Sequence, residues 1–258
     1  VYYIMSESNE RAIYISSVDR VRAGVSECED FVIKFNPSIQ LDINQKHEVA
    51  VDQISMTYSW HNIAPKYGNN TIKYSHDNGS TWTTVTFPNG MYSYNDLNDY
   101  LCQIMKRNGH VTSDSYDINI GFVLTTYKVV VELTNGYQLD LSNTNFGELI
   151  GFDPKIIKSS EVGSKLPNIT NSIDSLHINT NIINDSIVGG IASNTLCVIP
   201  TGTLNRSYPF VKEPMRALFN EVSTTTISSM RVYVTDSLRR PVHLNGIDWH
   251  MTIILRST

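Results

Sequence analysis

Val49-Ala50-Val51-Asp52-Gln53-Ile54-Ser55-Met56-Thr57-Tyr58-Ser59-Trp60 carries two apolar alternations in opposite phase. Val49 and Val51 set the first; Ile54, Met56, Tyr58 and Trp60 set the second. Side chains on a strand alternate between its faces, so a slip at Asp52–Gln53 marks a β-bulge, where one extra residue turns every later side chain over. A strand this long and bent needs a second sheet to cover its apolar face. The nearest upstream strand is Phe31-Val32-Ile33-Lys34-Phe35, which the spacing predicts to stop at Asn36-Pro37.

These strands form one block, Asp30–Trp60, and a second alternating block spans Ser175–Leu255, about a hundred residues downstream. The first block cannot close a sandwich alone, so the two are expected to pair across the interruption. Leu176 and Ile178, Leu196 and Val198, then Met230, Val232 and Val234, and finally Trp249, Met251, Ile253 and Leu255 supply the later strands. Residues 1–28, with Tyr2, Tyr3 and Tyr14 as anchors, lack sustained periodicity and read as an N-terminal arm.

The interruption has its own pattern. Asp77-Asn78-Gly79-Ser80 reads as a hairpin turn between Ile72, Tyr74 and the run Trp82 to Phe87. Ser93 with Asp96 three residues on starts the one clear helix, whose stripe is Leu97, Leu101, Ile104 and Met105 and whose stop is Asn108-Gly109. Alternating runs follow at Ile118–Leu124 and Tyr127–Leu133, a turn at Asn135-Gly136, and an apolar knot of Phe146, Leu149, Ile150 and Phe152 before a Lys/Ser/Gly/Pro loop. The expected fold is mainly β: a single jelly-roll β-sandwich (29–62 plus 171–258) carrying an inserted α+β subdomain with one clear helix (63–170).

Charged residues make up only 17 % of the 258, and the net charge is −5. Such a balance argues against nucleic acid or anionic membrane as a partner. Positive spots at Arg20 and Arg22, at Lys155, Lys158 and Lys165, and at Arg239–Arg240 are short and suit solvated or paired cations. Cys28, Cys102 and Cys197 form no CxxC pair, which favours a reducing compartment; Cys102 and Cys197 read as small core residues. Neither a membrane span nor a signal peptide is visible.

No phosphate-binding glycine loop, His-Glu-x-x-His, nucleophile elbow or reactive-cysteine signature occurs, so neither enzyme activity nor a cofactor or metal is expected. The seven histidines are scattered, and Asp248 with His250 fits a polar strand face as readily as an acid–base pair. Among the aromatics, Trp60 and Tyr74 follow the alternation and read as core, whereas Tyr67, Trp82 and Tyr92 are candidate ligand or partner contacts, suited to stacking on sugars. Arg206, Tyr208 and Phe210, in a loop mixing polar and aromatic residues, are candidate subunit contacts.

The segments Val49–Trp60, YSHDNGSTWTTVTFPNG (74–90), Asn95–Leu101, NFGELIGF (145–152), RSYPF (206–210) and Met230–Leu255 resemble the minor capsid, or penton, protein of Polinton/Maverick-type (adintovirus-like) elements, related to adenovirus and virophage pentons. The resemblance spans roughly residues 30 to 256. It implies a structural capsid protein, a homopentamer at the icosahedral fivefold vertices of a virion, in contact with a double-jelly-roll major capsid protein. It also implies synthesis in the host cytoplasm, assembly there or in the nucleus, and an insert that projects from the jelly roll, where a host receptor could bind. The alternative reading is a receptor- or carbohydrate-binding β-module that uses the aromatics of the insert.

Overall fold

The computed structural model describes residues 3–5, 10–21, 27–111, 116–170, 173–184, 186–188, 190–201, 209–213 and 216–258. The chain divides into two compact units, residues 1–60 with 173–258, and residues 61–172. The first unit begins with β1 (Tyr3–Met5), β2 (Glu10–Ser16), β3 (Asp30–Gln40) and β4 (His47–Thr57). The second carries β5 (Thr71–Ser75), β6 (Thr83–Thr86), α1 (Tyr94–Arg107), β7 (Ile118–Val123), β8 (Lys128–Leu133), β9 (Gln138–Asp140), α2 (Phe146–Ile150), β10 (Ile156–Ile157) and β11 (Glu161–Val162). The chain then returns to the first unit with β12 (Ser175–Thr180), β13 (Ser186–Val188), β14 (Ile191–Ser193), β15 (Thr195–Pro200), β16 (Pro209–Lys212), β17 (Asn220–Glu221), β18 (Thr226–Asp236) and β19 (His250–Ser257).

In the first unit one sheet runs β1-β2-β19-β4-β16, with β17 also on β4, and the other runs β15-β12-β18-β3. Every pairing is antiparallel. The chain crosses between sheets at β2 to β3, β3 to β4, β15 to β16, β17 to β18 and β18 to β19, and again from β4 to β12 through the second unit. Of the last strands, β19 lies between β2 and β4, and β18 lies between β12 and β3. Those interlocked Greek keys make a jelly roll, and the second unit is inserted between β4 and β12. The core is the residues that alternate inward: Phe31, Ile33 and Phe35 on β3, Ile54 and Met56 on β4, Val232 and Val234 on β18, and Met251 and Ile253 on β19. Trp249 meets Phe31 edge-on, with ring centroids 5.8 Å apart.

The bulge lies where the alternation slips. Thr252 pairs with Gln53 and Ile253 with Val51, so Asp52 has no partner in the ladder and is exposed. Val49 and Val51 thereby share the buried face with Ile54 and Met56.

Two expectations fail at the N-terminal end. Residues 10–16 are no arm: β2 lies between β1 and β19, paired with β19 from Glu10–Arg256 to Ser16–His250, and Ile13 and Ile15 are buried. The strand gives a weak signal because only two large apolar residues point inward, while Ala12 and Tyr14 fill the other face. Asn36-Pro37 does not end β3 either. The strand continues to Gln40, and its register on β18 slips between Ile39–Ile227 and Lys34–Ser229. The proline falls in the slip, on an edge strand, where no ladder N–H is required. Downstream, Phe210, expected in a loop, lies on β16, paired with β4.

The second unit has two sheets, β10-β9-β5-β6 and β11-β8-β7, sharing one core. Leu97, Leu101 and Met105 on α1 are buried. Ser93 accepts from the Asp96 N–H while Asp96 accepts from the Ser93 N–H, a complete capping box. Ser93→Ala is expected to cost about 1 kcal/mol of helix stability, read as a lower thermal midpoint with unchanged native circular dichroism.

Asparagines serve as internal staples here. Buried Asn98 on α1 accepts from Ile120 N–H and donates to Ile120 O, tying the helix to β7. Buried Asn62 holds Tyr92 and Ile169 by three bonds of 2.7–2.8 Å. The expected Asp77–Ser80 turn is built on Asp77, whose carboxylate accepts from Ser75, Thr81 N–H and Thr81 Oγ1. Those bonds, Thr81 Oγ1 first, hold its carboxyl well below the usual range.

Two runs differ from expectation. Leu124 and Tyr127, read as strand residues, are exposed in the turn between β7 and β8. The Lys/Ser/Gly/Pro loop contains β10 and β11, each two residues long and held by partner strands rather than by its own pattern. Cys102 and Cys197 are half-buried and Cys28 is the buried cysteine, all three as free thiols. Among the described residues, no helix is long and apolar enough to cross a membrane.

Candidate interaction surfaces

The aromatics singled out in the insert do not share one ring cluster. Tyr67 ends a short 3-10 turn, Pro65–Tyr67, with the Lys66 ammonium 4.8 Å from its ring centre and its carbonyl accepting from Asn145. Tyr92 packs on Phe87 and Tyr100 and donates to Pro88 O, which makes it a structural brace at the rim of the core. Burial, then the nearby Tyr100 and Asp96, pushes its hydroxyl above the usual tyrosine range. Trp82 is half-buried just before β6. Trp60 and Tyr74 are core residues, as their alternation implied.

Arg206 and Tyr208 lie outside the described residues. Phe210 is half-buried on β16, opposite Met56 of β4. That strand is an edge of the larger jelly-roll sheet, and β15 is an edge of the other. An edge strand presents unpaired backbone groups and is a ready partner for another chain. Around these two edges the surface is apolar: Val198 on β15 and Ile187 on β13 are exposed, Val211 on β16 is 59 % exposed, and Leu218 is 69 % exposed. A hollow of about 560 Å³ is lined by Val198, Ile187 and Leu218, with Leu196, Cys197, Arg216, Phe219 and Val51 also in its walls. Burial, partly offset by the charge of Lys212, raises the Cys197 thiol above its ordinary value, so it lines the hollow as a neutral group. A grouping of exposed apolar side chains on two open edges suits a protein–protein contact. Sequence reading missed it because alternation alone does not distinguish an edge strand from an inner one.

The remaining candidates are structural. Asp248 pairs with Arg20 at 2.6 Å and accepts from Ser17, while His250 is exposed against the Tyr14 ring. That arrangement ties the stretch just after β2 to the start of β19. Lys155, Lys165 and Arg240 are likewise held by Glu161, Asp153 and Asp236.

No protein-family model matches the sequence, and no curated protein matches it. Among solved structures, the crystal structure of a mavirus penton protein matches with a TM-score of 0.53, covering 96 % of this chain and all of that one, at 9 % sequence identity. The fold is penton-like. At that identity the likeness is one of fold.

Proposed function

We propose that this chain is the vertex protein of an icosahedral viral capsid, of the Polinton/Maverick penton type that its sequence resembles. It would form homopentamers at the fivefold positions of the virion, against a double-jelly-roll major capsid protein, with a structural rather than catalytic role. The observation that carries this reading is the match to a penton protein over nearly the full length of both chains. A ring of five requires a heterologous contact, one patch meeting a different patch on the next copy, with a rotation that closes. The apolar surface at β15 and β16 supplies one such patch. A surface with few charged side chains lowers the desolvation cost of the contact.

Light scattering on the purified protein is the test. A particle of five times the 29.1 kDa chain mass is expected. Leu218→Glu, exposed beside the hollow, should yield a folded monomer, because a charge is placed in the contact but not in the core. A strict monomer at high concentration that also ignores the major capsid protein would overturn the reading.

A further inference from the structure

At one end of the jelly roll, three potential metal ligands converge from distant parts of the sequence. Nδ1 of His243 lies 2.7 Å from Glu29 Oε1 and 3.4 Å from Glu27 Oε2. All three ligand atoms fall within 4.8 Å of one another, the one such group among the described residues. Glu29 is buried and Glu27 and His243 are exposed, so the cluster has a fixed base and an open mouth.

The base is rigid. Glu29 O accepts from Val234 N–H of β18, Cys28 O accepts from the buried Trp249 indole, and Val242 N–H donates to Val234 O. The Cys28 thiol donates to Glu29 Oε2 at 3.1 Å, which leaves Oε1 turned towards His243.

The cluster is short of positive charge. Two carboxylates face a single imidazole, and among the described residues neither glutamate has a lysine or arginine partner in an ion pair. A divalent cation would satisfy both oxygens and the imidazole nitrogen at once. Ligands about 2.1 Å from a metal are separated by roughly 3.0–3.4 Å in octahedral or tetrahedral geometry; the 3.4 Å contact already fits, and the 2.7 Å hydrogen bond would open by about 0.3 Å as the ion takes the place of its proton.

We propose that Glu27, Glu29 and His243 bind a divalent transition-metal ion of the zinc or manganese class, which pins the β18–β19 connection to the start of β3. The imidazole selects for this class, because calcium and magnesium take oxygen ligands. Three protein ligands leave at least one coordination position open to water. Cys28 is a positioning residue, orienting Glu29 from behind.

Metal-free protein dialysed against ZnCl2, MnCl2 or CaCl2 and assayed for bound metal tests this. One equivalent of zinc or manganese per chain is expected, with calcium far weaker. Glu27→Gln and His243→Gln, both at exposed side chains and therefore folded, should each weaken binding at least ~100-fold. Cys28→Ala should keep the stoichiometry and weaken binding roughly 10–100-fold, as removal of a group behind a ligand does. Absence of a stoichiometric ion, equal affinity for calcium, or unchanged binding in the Glu27→Gln/His243→Gln double variant would each overturn the proposal.

Discussion

Trp249→Ala is expected to destabilise the jelly roll by about 3–5 kcal/mol, the range for deleting a large buried aromatic. Three losses coincide at this position. The indole is 2 % exposed, so its removal leaves a cavity between the two sheets. The edge-on contact with Phe31 disappears. The Cys28 carbonyl, which accepts from the indole N–H at 2.7 Å, is left buried without that donor. In thermal unfolding the midpoint of this unit should fall by roughly 6–20 °C, at the 2–4 °C per kcal/mol typical of chains of this size. Trp249→Phe separates the terms. It keeps most of the apolar volume and loses the hydrogen bond, so it should cost about 1–3 kcal/mol. A Trp249→Ala protein with an unchanged midpoint would mean that the two sheets do not close on this residue.

The parts of the fold that were legible in sequence are those whose signal is local. The Asp52 bulge shows because six apolar residues keep strict phase on either side of it, and only one inserted residue reconciles them with a single buried face. The helix start shows because Ser93 and Asp96 satisfy each other within four residues. Strand β2 did not show, because a strand covered on one face by just Ile13 and Ile15 carries too little contrast. Strands β10 and β11 were hidden for a related reason: two residues have no period, and only β9 and β8 make them strands. The surface features were less legible still. Whether Val198 and Val211 are buried or exposed depends on which strand ends each sheet, and that is decided by chain crossings more than a hundred residues apart. The Glu29–His243 contact joins residues 214 positions apart and leaves no spacing to read.

Removing residues 1–16 is expected to prevent the jelly roll from folding. An arm that docks on a partner would leave the isolated protein as stable as before; an inner strand of a sheet cannot be removed at so small a cost. β2 covers β19 along its length, from His250 to Arg256, and it supplies Ile13 and Ile15 to the core. Its loss would leave β19 as a long edge, with unpaired backbone groups beside the buried Met251, Ile253 and Leu255. Such an edge recruits other chains, so insoluble protein is the expected product. A milder variant quantifies the same contribution. Ile15→Ala, at a fully buried position, should cost about 2–5 kcal/mol in urea unfolding. Tyr14→Ala, on the opposite face of the strand and partly exposed, should cost far less, because it removes a contact with the exposed His250 ring rather than core volume. The difference between these neighbours is what separates a strand from an arm. An arm has no inward face, so its residues would respond alike, and deletion of all sixteen would leave the unfolding midpoint where it was.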